Sequence, residues 1–300
     1  MKNNIAVIGL GSMGYGIATS CLRSGHLVWG VDTNIDQVKA FCSQGGQATT
    51  LNSVIDKIDV VVVVVLNSVQ TEEVLFGQEG LVENLKPGTV VISCATVAPT
   101  FAIDMERRCK EFEIFYLDAP ISGGALKAKN GQLSIMASGV KEAFQHARPT
   151  LDSISETVFE LGDEAGVGSA MKSVNQLLAG VHIAVMAEAL TFGISQGISP
   201  DKFVEVISKC AGTSWMLENR APHIVNGDYK PHSSINIWPK DLGIVLDVAL
   251  ESKFNAPIAT AALEQFRTAV DMGLGFEDDA AVAKVYAKSA NLSLPKKNDV

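Results

Sequence analysis

The chain has little of what anchors several common protein classes. Its 300 residues include five cysteines, at positions 21, 42, 94, 109 and 210, an odd number without a Cys-x-x-Cys pair. That spacing offers neither a disulfide framework nor a zinc-ligand set, so reduced packing residues in a reducing compartment are expected. Histidine is equally sparse, with five scattered residues and no His-Glu-x-x-His pattern, and no metal is expected. Basic residues are outnumbered, 24 Lys and Arg against 33 Asp and Glu, for a formal net charge of −9 at pH 7. This balance argues against nucleic acid or an anionic membrane as a partner. An anionic small molecule would therefore need locally placed cations. Long hydrophobic runs are also missing: the longest uninterrupted one, Val60 to Leu66, falls far short of the roughly 20 residues of a membrane-spanning helix. Met1 to Asn4 lead straight into an apolar segment and leave no room for a signal peptide, so a cytoplasmic location is expected.

What is present is concentrated at the start of the chain. The apolar run Ile5 to Ile8 is followed at once by Gly9-Leu10-Gly11-Ser12-Met13-Gly14, and then by helical apolar spacing from Tyr15 to Arg23. A Gly-x-Gly-x-x-Gly between a strand and a helix is a dinucleotide-binding fingerprint. Gly9 permits the tight turn, Gly11 keeps a side chain away from a pyrophosphate, and Gly14 lets the helix pack on the strand. The helix start then offers unpaired N–H groups and a positive dipole end to the phosphates. A second apolar run, Leu27 to Val31, ends in Asp32, eighteen residues after Gly14. A carboxylate there accepts from both ribose hydroxyls and repels a 2′-phosphate, and the following Thr33 and Asn34 supply no arginine, so NAD is expected rather than NADP.

The composition, 47% hydrophobic and 19% charged, is that of a globular chain long enough for about two domains. Strand-like runs at 27–31, 59–66, 89–93, 114–117, 133–137 and 157–160 alternate with helical stretches, predicting a doubly wound, mostly parallel Rossmann sheet over residues 1–163. The six valines Val60 to Val65 suit a strand buried on both faces. Ligands of such sheets lie beyond the carboxyl ends of the strands, so loops beginning at Asn67, Ala95 and Asp118 should face the cofactor. From residue 164 to 300 no convincing strand recurs, and an all-helical substrate and oligomerisation domain is expected, with a polar, mobile tail over 291–300. A long interdomain helix, about 168–196, should join the two, with Gly197 as its stop and Ser199-Pro200 starting the next helix. That helix is apolar on most sides, from Ala170 and Met171 to Val185, which predicts burial helped by a second subunit in a homodimer or homotetramer.

Against that apolar background Lys172 and Asn175 share a stripe, three residues apart. An ammonium on a mainly buried helix is costly unless something uses it, and burial favours the neutral amine that could take the proton of a substrate hydroxyl. A lysine snorkelling to solvent at the first turn is the plainer alternative. His182, further along the stripe, reads as a satisfied interior histidine. Past a strand end, Ser122, Gly123 and Gly124 can present a hydroxyl and successive N–H groups to a carboxylate, although an ordinary Gly-Gly turn looks the same. Thr96, in Cys94-Ala-Thr-Val-Ala-Pro99, could bond the nicotinamide ribose or the substrate, or serve only as a turn residue before the Pro99 helix start. Lys240-Asp241 could set a second cation over the site or form a surface pair at a helix start.

Taken together, these segments resemble the β-hydroxyacid dehydrogenase family, which includes the 3-hydroxyisobutyrate and tartronate semialdehyde enzymes. The resemblance covers nearly the whole chain through four signatures in order: Gly9 to Gly14, Asp118-Ala-Pro-Ile-Ser-Gly-Gly124, Gly166-Val-Gly-Ser-Ala-Met-Lys172-Ser-Val-Asn175 and Lys240-Asp-Leu242. It implies cofactor phosphates at the first, substrate carboxylate at Ser122 to Gly124, a catalytic lysine at Lys172, a substrate-orienting amide at Asn175 and a nucleotide-site lysine at Lys240. Leu66-Asn67 stands where many members carry Leu-Pro or Val-Pro in the wall of the nicotinamide pocket. The stretches 175–183, 212–220 and 227–245 are further similar to a branch acting on four-carbon sugar acids. That likeness implies NAD-dependent oxidation of the C2 hydroxyl of L-threonate, or a close aldonate, to the 2-oxo acid. Tartronate semialdehyde reduction and 3-hydroxyisobutyrate oxidation are the competing enzyme readings. A non-catalytic binding module is disfavoured because Lys172 is present, and an imine reductase because those relatives usually replace this lysine.

Overall fold

A computed structural model describes residues 2–47 and 50–297. The chain divides into two compact units, Met1–Lys172 and Ser173–Val300.

In the first unit strands and helices alternate: β1 (Asn4–Ile8), α1 (Gly14–Arg23), β2 (Leu27–Val31), α2 (Ile35–Ser43), β3 (Val60–Val63), α3 (Ser68–Phe76), β4 (Val90–Ser93), α4 (Pro99–Glu111) and β5 (Phe115–Asp118). These strands form one five-stranded sheet in the order β2-β1-β3-β4-β5, with every pairing parallel. Then follow β6 (Ile121–Ser122), α5 (Gly124–Asn130), β7 (Leu133–Ala137), α6 (Lys141–Ile154) and β8 (Ser155–Glu160). They build a second, three-stranded sheet in which β7 pairs antiparallel with β6 and parallel with β8. The expected parallel Rossmann sheet is therefore present, with the later strands set apart as a mixed sheet. Apolar runs show which segments are strands but not which neighbour each one pairs with.

The valines of β3 show why the sheet is stable. Val60 and Val62 join Ile5, Val7 and Ile92 in one fully buried cluster, while Val61 and Val63 join Ala6, Val91 and Tyr116 in another. Successive side chains point to opposite faces, so a strand covered on both sides needs apolar residues throughout. Local chemistry sets the helix starts. Asn34 and Asn67 accept from backbone N–H groups of α2 and α3, and Pro99 opens α4.

The helix α7 (Val167–Ser195) begins in the first unit and continues into the second, 29 residues or about 44 Å of helix. Among the described residues it alone is long and apolar enough to cross a membrane by length and composition, a test that core helices of soluble proteins also pass. The second unit is helical: α8 (Pro200–Ile207), α9 (Trp215–Val225), α10 (Ile237–Glu251), α11 (Pro257–Asp271) and α12 (Ala283–Ser289). Ile183, Met186 and Leu190 of α7 pack with Leu217, Ile224, Trp238, Leu242 and Phe266 in its core. The Ser199 and Ser214 side chains cap α8 and α9. A buried Arg220–Asp279 ion pair is completed by Trp238, whose Nε1 donates to Asp279 at 3.1 Å. Near the C-terminus Leu294 lies against this core and Lys297 pairs with Asp228 at 3.1 Å. Residues 298–300 of the expected mobile tail lie outside the described residues.

Candidate active site

The first group of candidate residues surrounds the end of β1. Gly9 has φ +95°, and a Cβ there would stand 2.3 Å from the Val64 carbonyl oxygen. A Cβ on Gly14 would meet the Gly9 carbonyl oxygen at 1.8 Å, so only glycine lets α1 start this close to the turn. Gly11 differs: a Cβ there would have nothing within 4 Å and would project into open space. That space is a cleft of about 410 Å³ lined by Leu10, Gly11, Ser12, Tyr15, Asp32, Asn34 and Gln37. Ser12 and Met13 complete the loop between Gly11 and the helix start at Gly14.

Asp32 sits at the far wall. Its Oδ2 accepts from the Leu10 N–H at 2.6 Å and its Oδ1 from the Asn34 N–H at 2.7 Å. A carboxylate has about four acceptor positions, so two backbone donors fix its orientation and leave room for two hydroxyl donors. An open Gly11, a helix N-terminus without a side-chain cap at Met13 and a bidentate acceptor suit a dinucleotide diphosphate and its adenosine ribose. The residues present fit NAD.

The second group surrounds Lys172. This lysine is 7% exposed, and its Nζ donates to the Ile121 carbonyl at 2.9 Å. Ile121 and Ser122 form β6, so Lys172 lies beside the Ser122-Gly123-Gly124 turn. Both glycines there have positive φ, +133° and +75°, and a Cβ on Gly124 would meet nothing. Asp118, read from sequence as the first residue of a ligand-facing loop, is instead the buried last residue of β5. Its Oδ2 accepts from the N–H groups of Gly166 at 2.9 Å and Ser169 at 2.7 Å, and its Oδ1 from the Ser169 hydroxyl at 2.7 Å. These residues bracket the start of α7, so Asp118 fixes the turn of helix that precedes Lys172. Burial raises the Asp118 pKa, while hydrogen bonds from Ser169 and Gly166 oppose the rise. Glu106 secures the approach to the same helix by accepting from the Ala165 N–H at 3.1 Å.

Thr96 is half-buried in the loop after β4. Its neighbour Cys94 is buried, and burial pushes the thiol up to about 12, which excludes a thiolate nucleophile there. Leu66 is exposed, and Asn67 accepts from the Gln70 N–H at 2.9 Å while Gln70 accepts from the Leu66 N–H at 2.9 Å. This reciprocal cap shapes the turn without a proline.

In the second unit Asn175 and Lys240 belong to one hydrogen-bond chain. Asn175 Nδ2 donates to Gln176 Oε1 at 2.9 Å, Gln176 Nε2 donates to Asp241 Oδ2, and Lys240 Nζ pairs with Asp241 Oδ1. Gln176 and Asp241 are buried, and Asn175 is partly exposed. Asp241 was read from sequence only as the neighbour of Lys240 and Gln176 was not singled out, because their contact joins residues 65 apart. Only the position of Gln176 beside Asn175 on an apolar helix hinted at it.

Residues 4–162 match the model of the NAD binding domain of 6-phosphogluconate dehydrogenase, and residues 166–286 that described as NAD-binding of NADP-dependent 3-hydroxyisobutyrate dehydrogenase. An L-threonate dehydrogenase of Cupriavidus necator is 46% identical, over 95% of this chain and 97% of the relative. One from Escherichia coli is 42% identical, over 95% of each chain. Among solved structures, a 3-hydroxyisobutyrate dehydrogenase from Salmonella typhimurium superposes with a TM-score of 0.88 at 40% identity, over 94% of this chain and 99% of the other.

Proposed function

The chain belongs to the β-hydroxyacid dehydrogenase family of NAD-dependent oxidoreductases, and from that premise we propose that it oxidises the C2 hydroxyl of L-threonate, or a close four-carbon aldonate, to the 2-oxo acid. The observation that carries the reading is a buried lysine amine on α7, anchored beside a turn able to hold a carboxylate, in a chain 42–46% identical to L-threonate dehydrogenases.

NAD, when bound, supplies the acceptor for the hydride that leaves substrate C2. Lys172 takes the hydroxyl proton in its neutral form. A neutral amine keeps two N–H donors and one lone pair, so one N–H can remain on the Ile121 carbonyl while the lone pair meets the substrate hydroxyl. The C2–H pair leaves as hydride, the O–H proton goes to Nζ, and the C2–O bond becomes a carbonyl. Ser122, Gly123 and Gly124 would hold the substrate carboxylate through a hydroxyl and backbone N–H groups, and Thr96 would bond the substrate or the nicotinamide ribose. Asn175 would orient the substrate. Gly9 to Gly14 and Asp32 would anchor the nucleotide, with Leu66, Asn67 and Lys240 lining its site.

A homo-oligomer in the cytoplasm belongs to the same reading. Val174, Leu178, Val185 and Phe192 are about half to two-thirds exposed and repeat at four and seven residues along α7, a stripe suited to a second helix. The domain reading keeps residues 1–163 for the nucleotide and 164–300 for substrate and assembly.

A second reading, 3-hydroxyisobutyrate oxidation, is favoured by the name of the Salmonella typhimurium structure. Initial rates of NADH formation with L-threonate, D-threonate, D-erythronate, glycerate and 3-hydroxyisobutyrate separate the two. L-threonate should give the highest kcat/KM; a higher value for 3-hydroxyisobutyrate would replace the proposal with the second reading.

A further inference from the structure

A carboxylate only accepts hydrogen bonds, and that asymmetry propagates through the second unit's buried chain. Asp241 is 3% exposed and receives Lys240 on Oδ1, so its Oδ2 can be satisfied only by a donor. Gln176, itself 7% exposed, must therefore turn its NH2 towards Asp241. Its amide oxygen then faces Asn175, and only the NH2 of Asn175 can meet it, as observed at 2.9 Å. Neither amide is free to flip, because a flip of either sets donor against donor or acceptor against acceptor. Asn175, partly exposed, is left with its Oδ1 and its second N–H outside the chain of bonds.

We propose that Asp241, acting through Gln176, fixes the Asn175 amide so that its oxygen is held ready as an acceptor for a substrate hydroxyl. The assignment rests on the reading of Asn175 as a substrate-orienting residue. It makes Gln176 and Asp241 positioning residues, and it divides the substrate's recognition chemically. The Asn175 oxygen cannot bind a carboxylate and selects for a hydroxyl on the acid, while the carboxylate goes to donors such as Ser122 to Gly124. The ligand class that follows is a polyhydroxylated acid rather than a deoxygenated or alkyl-substituted one, with the hydroxyl next to the oxidised carbon as the partner of Asn175.

Replacing Asp241 by asparagine tests the polarity directly. With Lys240 donating to its oxygen, the introduced amide would turn its NH2 to Gln176, reverse both amides and leave Asn175 presenting donors. The assay compares kcat/KM for L-threonate with that for its 3-deoxy counterpart, 2,4-dihydroxybutanoate of the same C2 configuration. The wild-type protein should favour L-threonate by roughly ten- to a hundredfold, the loss expected when a buried polar group goes unpaired. In Asp241→Asn that ratio should collapse to within about threefold. Gln176→Met, which cuts the chain but keeps the Lys240–Asp241 pair, should collapse it too and serves if Asp241→Asn does not fold. A wild-type ratio near one, or a ratio preserved in a folded variant, overturns the assignment while leaving the dehydrogenase reading intact. Absence of turnover of both acids by the wild-type protein overturns that reading and the assignment with it.

Discussion

Removing the Asp118 carboxylate should cost both stability and rate, for reasons that can be worked from its three hydrogen bonds. Asp118→Ala strands the backbone N–H groups of Gly166 and Ser169, both buried, together with the Ser169 hydroxyl, which can rotate to another acceptor. Each orphaned buried donor costs about 1–3 kcal/mol, so the pair comes to about 4 kcal/mol. Thermal unfolding of the first unit should then move down by roughly 10 °C, at a few degrees per kcal/mol for a unit of this size. Asp118→Asn can keep its oxygen at the Oδ2 position, where both backbone N–H groups donate, and should lose only about 1 kcal/mol, from the contact with the Ser169 hydroxyl. The kinetic effect follows from position: α7 is held by Asp118 one turn before Lys172, whose Nζ reaches the Ile121 carbonyl at 2.9 Å. A displacement of about 1 Å at that amine should lower kcat by about a hundredfold. Calorimetry and steady-state NADH production on the two variants measure both quantities. An Asp118→Ala protein with wild-type melting and wild-type kcat would refute the view that this carboxylate sets the helix that carries the lysine.

Two further outcomes follow from single groups. Asp32→Ser removes the charge that repels a 2′-phosphate, so the NADP to NAD ratio of kcat/KM should rise by roughly ten- to a hundredfold, equivalent to about 1.4–2.8 kcal/mol; an unchanged ratio would show that Asp32 does not read the ribose. His26 is buried, its Nδ1 accepts from the Asn3 N–H at 3.0 Å and its Nε2 lies 3.2 Å from the Pro149 carbonyl, which requires the neutral Nε2–H tautomer. Burial lowers its pKa below 6.5, so the stability it contributes is present above that pH and is lost as pH falls through the lower folded value. Wild-type unfolding free energy should therefore decline, as pH falls below 6.5, more steeply than that of His26→Gln, and parallel pH profiles would exclude the histidine as the cause.

The sequence carried the fold where one local pattern settles one element. Alternating apolar runs and glycine turns marked the Rossmann strands, and the α7 expected over about 168–196 is observed at Val167–Ser195. The run predicted over 59–66 pairs only from Val60 to Val63, because its neighbour β1 ends at Ile8 and Gly9 turns away against Val64. Strand ends depend on the partner, which hydrophobicity does not encode. The two-residue β6 was invisible for the same reason. At the site, the fingerprint and Asp32 were legible because they are contiguous or regularly spaced. The work of Asp118 was not, because its partners lie 48–51 residues away, nor was that of Asp241, whose partner Gln176 is 65 residues distant.

In the proposed reaction the buried Lys172 amine takes the substrate proton. Steady-state NADH production from L-threonate by Lys172→Ala, alongside NAD binding measured by titration calorimetry, tests it most directly. The variant should lose about a hundred- to ten-thousandfold in kcat with NAD affinity within threefold of wild type. NADH production within a few fold of wild type would contradict it.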